Sequence, residues 1–291
     1  GHLARGLHRL GEALPLAQGV ADPVVAREGR GAGDDQIAHP GEPQEGHGVG
    51  SLIHREAAHL GQRAGHQHAA GVLAHAECGG HAGGDVASQL ATRSIQEKWE
   101  KNEGFTSPKQ LEEWIADAIS AANELIYKEA QANADLEGMG TTVVLAACVE
   151  EFVTIAHLGD SRCYHYSNDG LKQLTEDHSY VNELLRAGQI SPDDAAYHPR
   201  KHVISRALGT GEKVDCDIQT IIWEQGDKLL LCSDGLTDKV DDKDLEDFLS
   251  KDEEIKGIGG KLIDLANERG GEDNISLAII LHEPLRVGEM K

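Results

Sequence analysis

The sequence predicts an α+β fold in which antiparallel sheets are covered by helices, and three observations point to it. Two apolar runs, Thr141–Val149 and Phe152–Leu158, are separated only by Glu150-Glu151, the spacing of a hairpin. Before them, two long segments carry apolar residues at helical spacing. After them, short strand patterns are followed by a second pair of helical patterns and a last apolar run.

The elements follow in chain order. Residues 1–78 contain no Phe, Trp, Tyr, Lys or Asn and are dominated by Gly, Ala, His and Arg. Such a segment has little to bury and reads as a weakly ordered leader, with a short helix at 56–64. Residues 85–101 read as a helix after Gly83-Gly84, with Val86, Leu90, Ile95 and Trp99 at its apolar positions. Ser107-Pro108 opens the next helix, whose stripe is Leu111, Trp114, Ile115, Ala118, Ile119, Ala122 and Ile126. Beyond the hairpin, strands are expected at 162–166, 216–222, 227–232 and 275–281, and helices at 241–250 and 253–269.

Three aspartates stand at strand ends beside glycine or a glycine turn. The buried run 227–232 leads into Cys232-Ser233-Asp234-Gly235, the run 152–158 leads into Gly159-Asp160-Ser161-Arg162, and Gly270-Gly271-Glu272-Asp273-Asn274 precedes the last strand. One Asp-Gly pair alone is an ordinary turn. Three carboxylates on rigid supports, without thiolate pairs nearby, form a donor set suited to a hard cation such as Mg²⁺ or Mn²⁺.

Taken with Gly138-Met139-Gly140-Thr141-Thr142, the order and spacing of these motifs resemble the metal-dependent type-2C Ser/Thr protein phosphatases. The likeness is to the bacterial members. Their helical flap resembles the stretch containing Glu176-Asp177-His178-Ser179, Ala187-Gly188-Gln189-Ile190, His198-Pro199-Arg200 and Ile204-Ser205-Arg206-Ala207-Leu208-Gly209. The resemblance covers about residues 79–282, with a flap at about 176–208 and a tail at 283–291. It implies a four-layer αββα sandwich and two or three Mn²⁺ or Mg²⁺ ions that activate a bridging water. By the same resemblance Asp160, Asp234 and Asp273 are metal ligands, and Asn274 braces Asp273 as Asp238 supports the site. His81 lies near the metals with proton-transfer duty. The implied partners are phosphoproteins, including a cognate Ser/Thr kinase, and the implied state is a monomer.

The junction departs from that pattern. Bacterial relatives have a segment of the form Ala-Asp-Gly-Met-Gly-Gly-His, whose aspartate bridges the metals, where this chain reads His75-Ala76-Glu77-Cys78-Gly79-Gly80-His81. Ala76 falls at the bridging position. The family's early arginine and acidic strand motif are not readable either, so residues 1–78 are expected to be foreign or out of frame. Two other functions follow from this departure. One is a catalytically dead pseudophosphatase that keeps the surface; the other is a zinc-binding leader built on His75-x-x-Cys78-x-x-His81 with His66 and His68.

Charge and cysteine usage narrow the partners. A formal charge of −23 opposes binding to a nucleic-acid backbone or an anionic membrane surface. No apolar run reaches membrane-spanning length, and the start lacks the unbroken apolar stretch of a signal peptide. Five unpaired cysteines, four of them in apolar or strand-like stretches, fit a reducing cytoplasm.

Overall fold

The computed structural model describes residues 83–102, 104–149 and 152–284, together with the strand segments 18–20, 24–27, 51–53 and 68–76. In chain order these are β1 (Gln18–Val20), β2 (Val24–Arg27), β3 (Ser51–Ile53), β4 (His68–Ala76), α1 (Gly83–Glu100), α2 (Pro108–Ala132), β5 (Thr141–Val149), β6 (Phe152–Leu158), β7 (Arg162–Ser167) and β8 (Gly170–Gln173). There follow α3 (Tyr180–Arg186), α4 (Pro192–Ala196), β9 (Asp217–Ile222), β10 (Lys228–Cys232), α5 (Asp234–Thr237), α6 (Asp242–Leu249), α7 (Ile255–Glu268) and β11 (Ser276–Pro284).

Two antiparallel sheets form the centre. One has the order β3-β4-β5-β6-β9, and the other runs β1-β11-β10-β7-β8 with β2 also on β11. Both central strands of the hairpin and β10 are apolar on both faces, which only a strand covered on both sides can afford.

Alternation along these strands explains the layering. In β5, Val143, Leu145 and Ala147 pack on the α1–α2 side, where Ile95, Leu111, Ile115 and Ile126 meet them. Val144, Ala146 and Cys148 face the other way, against Leu229, Leu231 and Ile280 of the second sheet. On that sheet's far side, Leu230, Cys232, Leu277 and Ile279 meet Leu245, Ile258 and Leu262 of α6 and α7. Three apolar interfaces between four layers give the αββα sandwich.

Local signals set the helix ends. The Ser107 side chain caps α2 by accepting from the Gln110 N–H, and Pro108 follows in the first turn. Asp241 caps α6 in the same way, accepting from the Asp244 N–H at 2.9 Å.

The expected helices and strands from residue 85 onward are found within a few residues of their expected bounds. Strand β8 was not expected. Composition places residues 68–76 in the leader, and the structure has β4 there, in register with β5 from His68↔Val149 to Ala76↔Thr141. The helix expected at 56–64, and the hairpin turn at Glu150-Glu151, lie outside the described residues.

Candidate metal centre at the sheet edges

Register brings several strand ends together. Strand β6 ends at Leu158, paired with Val143 near the start of β5, while β10 ends at Cys232, paired with Arg162 at the start of β7 and with Leu277 in β11. The turn Gly159-Asp160-Ser161 joins β6 to β7 and so connects the two sheets at this edge. Asp160, Asp234 and Asp273 all leave from it.

Asp234 is fixed from both sides. Ser233 before it exchanges backbone and side-chain bonds with the segment 274–276: its N–H donates to the Ser276 carbonyl at 3.0 Å, its hydroxyl donates to the Asn274 carbonyl at 3.1 Å, and it accepts from the Ser276 N–H at 3.0 Å. Gly235 after it lies so close to the Asn274 carbonyl that a Cβ there would meet the oxygen at 2.3 Å. These contacts set the Asp234 turn directly on the Asp273-Asn274 turn. Asp273 is exposed, and its Oδ1 accepts from the Asn274 N–H at 2.7 Å. The described bond between these two therefore uses the Asn274 backbone.

Asp160 is held by a turn that requires glycine before it. Gly159 has φ +111°, and a Cβ on it would lie 2.3 Å from the Thr142 Cγ2, so no other residue fits. Ser161 on the far side shares a 2.9 Å hydrogen bond with the Thr142 hydroxyl. The Asp160 side chain is only 7% exposed, and its Oδ1 has no hydrogen-bond partner. Burial, and then the Asp234 and Asp177 carboxylates, push its pKa up to about 8.

An orphaned, buried carboxylate oxygen under the influence of a second carboxylate fits a divalent cation, which would supply the missing partner and offset the repulsion. Asp160, Asp234 and the adjoining Asp273 are the residues present to hold one.

Behind the turn sits a histidine pair absent from the expected site. The Gly159 N–H donates to His178 Nδ1 at 3.2 Å, and the His178 N–H returns a bond to the Gly159 carbonyl at 2.9 Å. The His157 ring stacks on His178 with centroids 4.5 Å apart, and its Nε2–H donates to the Glu176 carbonyl at 2.8 Å. Asp217 lies 3.2 Å from His178 Nε2, which makes this a compact His-His-Asp group. Stacked rings aim their in-plane lone pairs side by side, and His178 Nδ1 is already used, so the group braces the Asp160 turn. Arg162 adds a fork onto Asp177, with Nε at 2.9 Å and Nη2 at 2.6 Å from its oxygens.

The segment 176–208 folds back over this edge. The Tyr180 N–H donates to the Val203 carbonyl at 2.7 Å, and the Ser205 N–H donates to the His178 carbonyl at 2.8 Å. Helices α3 and α4 lie between these ties. Asp238, at the end of α5, faces the turn that follows α4: Lys201 Nζ is 3.8 Å and His202 Nδ1 3.7 Å from its oxygens. His202, Asp234 and Asp238 each place a ligand atom within 4.8 Å of the others. His81 lies outside the described residues, as do Cys78, His66 and the side chain of His75 from the zinc reading. His157, the brace by His178 and the approach of His202 were not expected.

The chain resembles known proteins over most of its length. The sequence model of the family described as protein phosphatase 2C matches residues 68–259. A serine/threonine phosphatase of Listeria welshimeri is 42% identical over 210 residues, covering 72% of this chain and 83% of its own. The crystal structure of a serine/threonine phosphatase from Staphylococcus aureus superposes with a TM-score of 0.77 at 31% identity, covering 94% of this chain and 99% of that one. The catalytic domain of the serine/threonine protein phosphatase PstP, solved in complex with two manganese ions, matches with a TM-score of 0.71 at 28% identity, covering 91% of this chain and 99% of its own. The chain belongs to the protein phosphatase 2C family, among the bacterial Ser/Thr protein phosphatases.

Proposed function

We propose that the chain is a divalent-metal-dependent phosphatase that hydrolyses phosphoserine and phosphothreonine in proteins, opposing a Ser/Thr kinase in the cytoplasm as a monomer. The observation that carries this reading is the buried, unpartnered Asp160 Oδ1, whose carboxyl feels the Asp234 charge, with the Asp234 turn packed on the Asp273-Asn274 turn. Asp234 and Asp273 would hold the catalytic pair of Mn²⁺ or Mg²⁺ ions, and Asp160 with Asp234 would hold a third, weaker one. Bound there, the ions neutralise charge on the phosphoryl oxygens and lower the pKa of water.

The protein's own groups supply the rest. The Ser233–Asn274 contacts keep Asp234 and Asp273 at a fixed separation, so the carboxylates need no rearrangement when substrate arrives. Asn274 keeps Asp273 oriented, and Asp238 adds charge at the mouth. The flap at 176–208 covers the edge and limits the approach of protein substrates. His81 delivers a proton to the departing serine or threonine oxygen, and water's oxygen ends on the phosphate. No phosphorylated side chain is needed.

A specific feature also supports the second reading, a pseudophosphatase. Ala76 ends β4 opposite Thr141, at the same edge as Asp160, and brings no oxygen in its side chain. The deciding experiment is Mn²⁺-dependent hydrolysis of an aryl phosphate and of a phosphothreonine peptide by the full chain. The phosphatase reading expects slow turnover that Asp234→Asn or Asp273→Asn abolishes while the melting transition remains cooperative. Turnover unchanged in both variants would discredit the site, and none in the wild type would favour the pseudophosphatase.

A further inference from the structure

One flank of the Asp273 turn is fixed by the Ser233 contacts to the segment 274–276, and the other flank runs through two glycines. Gly270 and Gly271, at φ +130° and +55°, carry no side chain to anchor it. The residues on either side of this pair both reach Lys239. Arg269 Nη1 donates to the Lys239 carbonyl at 2.8 Å and to Asp244 Oδ2 at 2.5 Å. The Lys239 ammonium in turn donates to Glu272 Oε2. That carboxylate lies across the bare face of Gly270, where a Cβ would stand 2.7 Å from its Oε1. The ammonium holds the Glu272 carboxyl below its ordinary pKa range.

Lys239 is also joined to Asp234. The Asp238 N–H donates to the Asp234 carbonyl at 2.8 Å and the Lys239 N–H to the Leu236 carbonyl at 3.1 Å, so one short helical turn links the two residues. That turn meets the Asp273 segment at two points, Ser233 on Asn274 and Lys239 on Glu272, one on each side of Asp273. A single tie leaves a carboxylate free to swing; two fix its distance from Asp234. Stability does not account for the pair, because the Glu272 side chain is 65% exposed and exposed ion pairs add little to folding.

We propose that Lys239 is a positioning residue for Asp273: by holding Glu272 with its ammonium and Arg269 with its carbonyl, it clasps the two-glycine turn and sets the separation of Asp273 from Asp234. This rests on the reading of both aspartates as metal ligands. The sign of the effect separates position from charge. As a bare positive charge near the site, Lys239 repels a divalent cation, and its loss would tighten binding. As a clasp it keeps the ligands preorganised, and its loss weakens binding.

The test is calorimetric titration of the full chain with Mn²⁺, as wild type, Lys239→Met, Lys239→Arg, and Glu272→Gln with and without Lys239→Met. Lys239→Met should weaken Mn²⁺ binding about tenfold. Lys239→Arg, which keeps a cationic donor for Glu272, should recover most of that loss. In the Glu272→Gln background, Lys239→Met should bring little further loss, since the two residues act through one contact. Without metal, amides 270–273 should exchange faster in Lys239→Met, while those of β10 and the melting temperature keep their wild-type values. Mn²⁺ binding unchanged or tighter in Lys239→Met would overturn the clasp and leave the metal reading standing, as would an affinity loss that comes only with a matching drop in melting temperature. No Mn²⁺ binding by the wild type, or binding unaffected by Asp273→Asn, would bring down the metal reading and the clasp with it.

Discussion

At Asp160 the cost of the site is concentrated in one buried oxygen. An unpaired buried polar group costs about 1–3 kcal/mol, and ionising a carboxyl whose pKa stands near 8 in the fold opposes folding as pH rises above its ordinary range. Asp160→Asn should therefore raise the melting temperature of the metal-free protein at pH 8–9, by about 3–8 °C. The same variant should lose part of the stabilisation that Mn²⁺ gives the wild type. A metal-free variant that melts at or below the wild type would show that the carboxylate is already compensated. His157 has the opposite sign. Burial, with the neighbouring His178, depresses its pKa below 6.5, so the neutral ring's contribution is present above pH 6.5 and is lost as pH falls toward the folded value. His157→Gln keeps a donor for the Glu176 carbonyl and cannot be protonated. Its thermal stability should fall less steeply than the wild type's between pH 7 and pH 5, which melts across that range would measure.

The flap divides into a tied base and a loosely held tip. The isolated bridge Ser179↔Ile204 and the His178–Ser205 bond fasten the base to the Asp160 turn, whereas Val181 is the buried apolar residue of α3 and the Pro192–Ala196 helix is mostly exposed. In metal-free protein, amides from 186 to 202 should exchange faster than those of β10, with 203–208 between them. Equal protection across all three would argue against a separately mobile cover. The glycine contacts make a sharper claim about the rigid side. Gly235→Ala forces a methyl to 2.3 Å from the Asn274 carbonyl, and should destabilise the fold by about 1–3 kcal/mol while loosening metal binding. Denaturant unfolding and Mn²⁺ titration would report the two effects.

How legible these elements were follows from where their stabilisation comes from. The α2 stripe and the apolar β5, β6 and β10 runs announce themselves, because burial on one or both faces writes a period into the sequence. Strand β8, Gly-Leu-Lys-Gln, is a half-exposed edge held by its partner β7, and four such residues carry no periodic signal. Strand β4 is built of alanine, histidine and glycine with one Val-Leu pair, a composition that disfavours a strand by itself; its pairing with β5 supplies what propensity does not. The three aspartates were readable from their turn glycines, whose need is local. His202 beside Asp238 and His157 on His178 are contacts between distant segments, and no spacing in the chain encodes them.

On the scale of the whole molecule, the sandwich and the junction make opposite demands. Among the described side chains, three apolar interfaces hold the layers that carry Asp160, Asp234 and Asp273. The catalytic edge needs more than apolar contact. Two cations held a few ångströms apart repel strongly, and a carboxylate between them is what offsets that repulsion in the family pattern. Ala76 ends β4 at this edge without an oxygen ligand. The double replacement Ala76→Asp with Glu77→Gly should therefore tighten Mn²⁺ binding by about tenfold or more, as calorimetric titration would measure. Turnover should rise less, because the arginine and acidic strand motif expected in a family-like opening remain absent from residues 1–78. Exchange of that whole segment for a family-like opening should restore both. Robust Mn²⁺-dependent turnover in the unmodified chain, lost on Asp234→Asn, would instead mean that another carboxylate bridges the ions, with Asp85 at the start of α1 the first to substitute and Asp34 and Asp35, outside the described residues, the next.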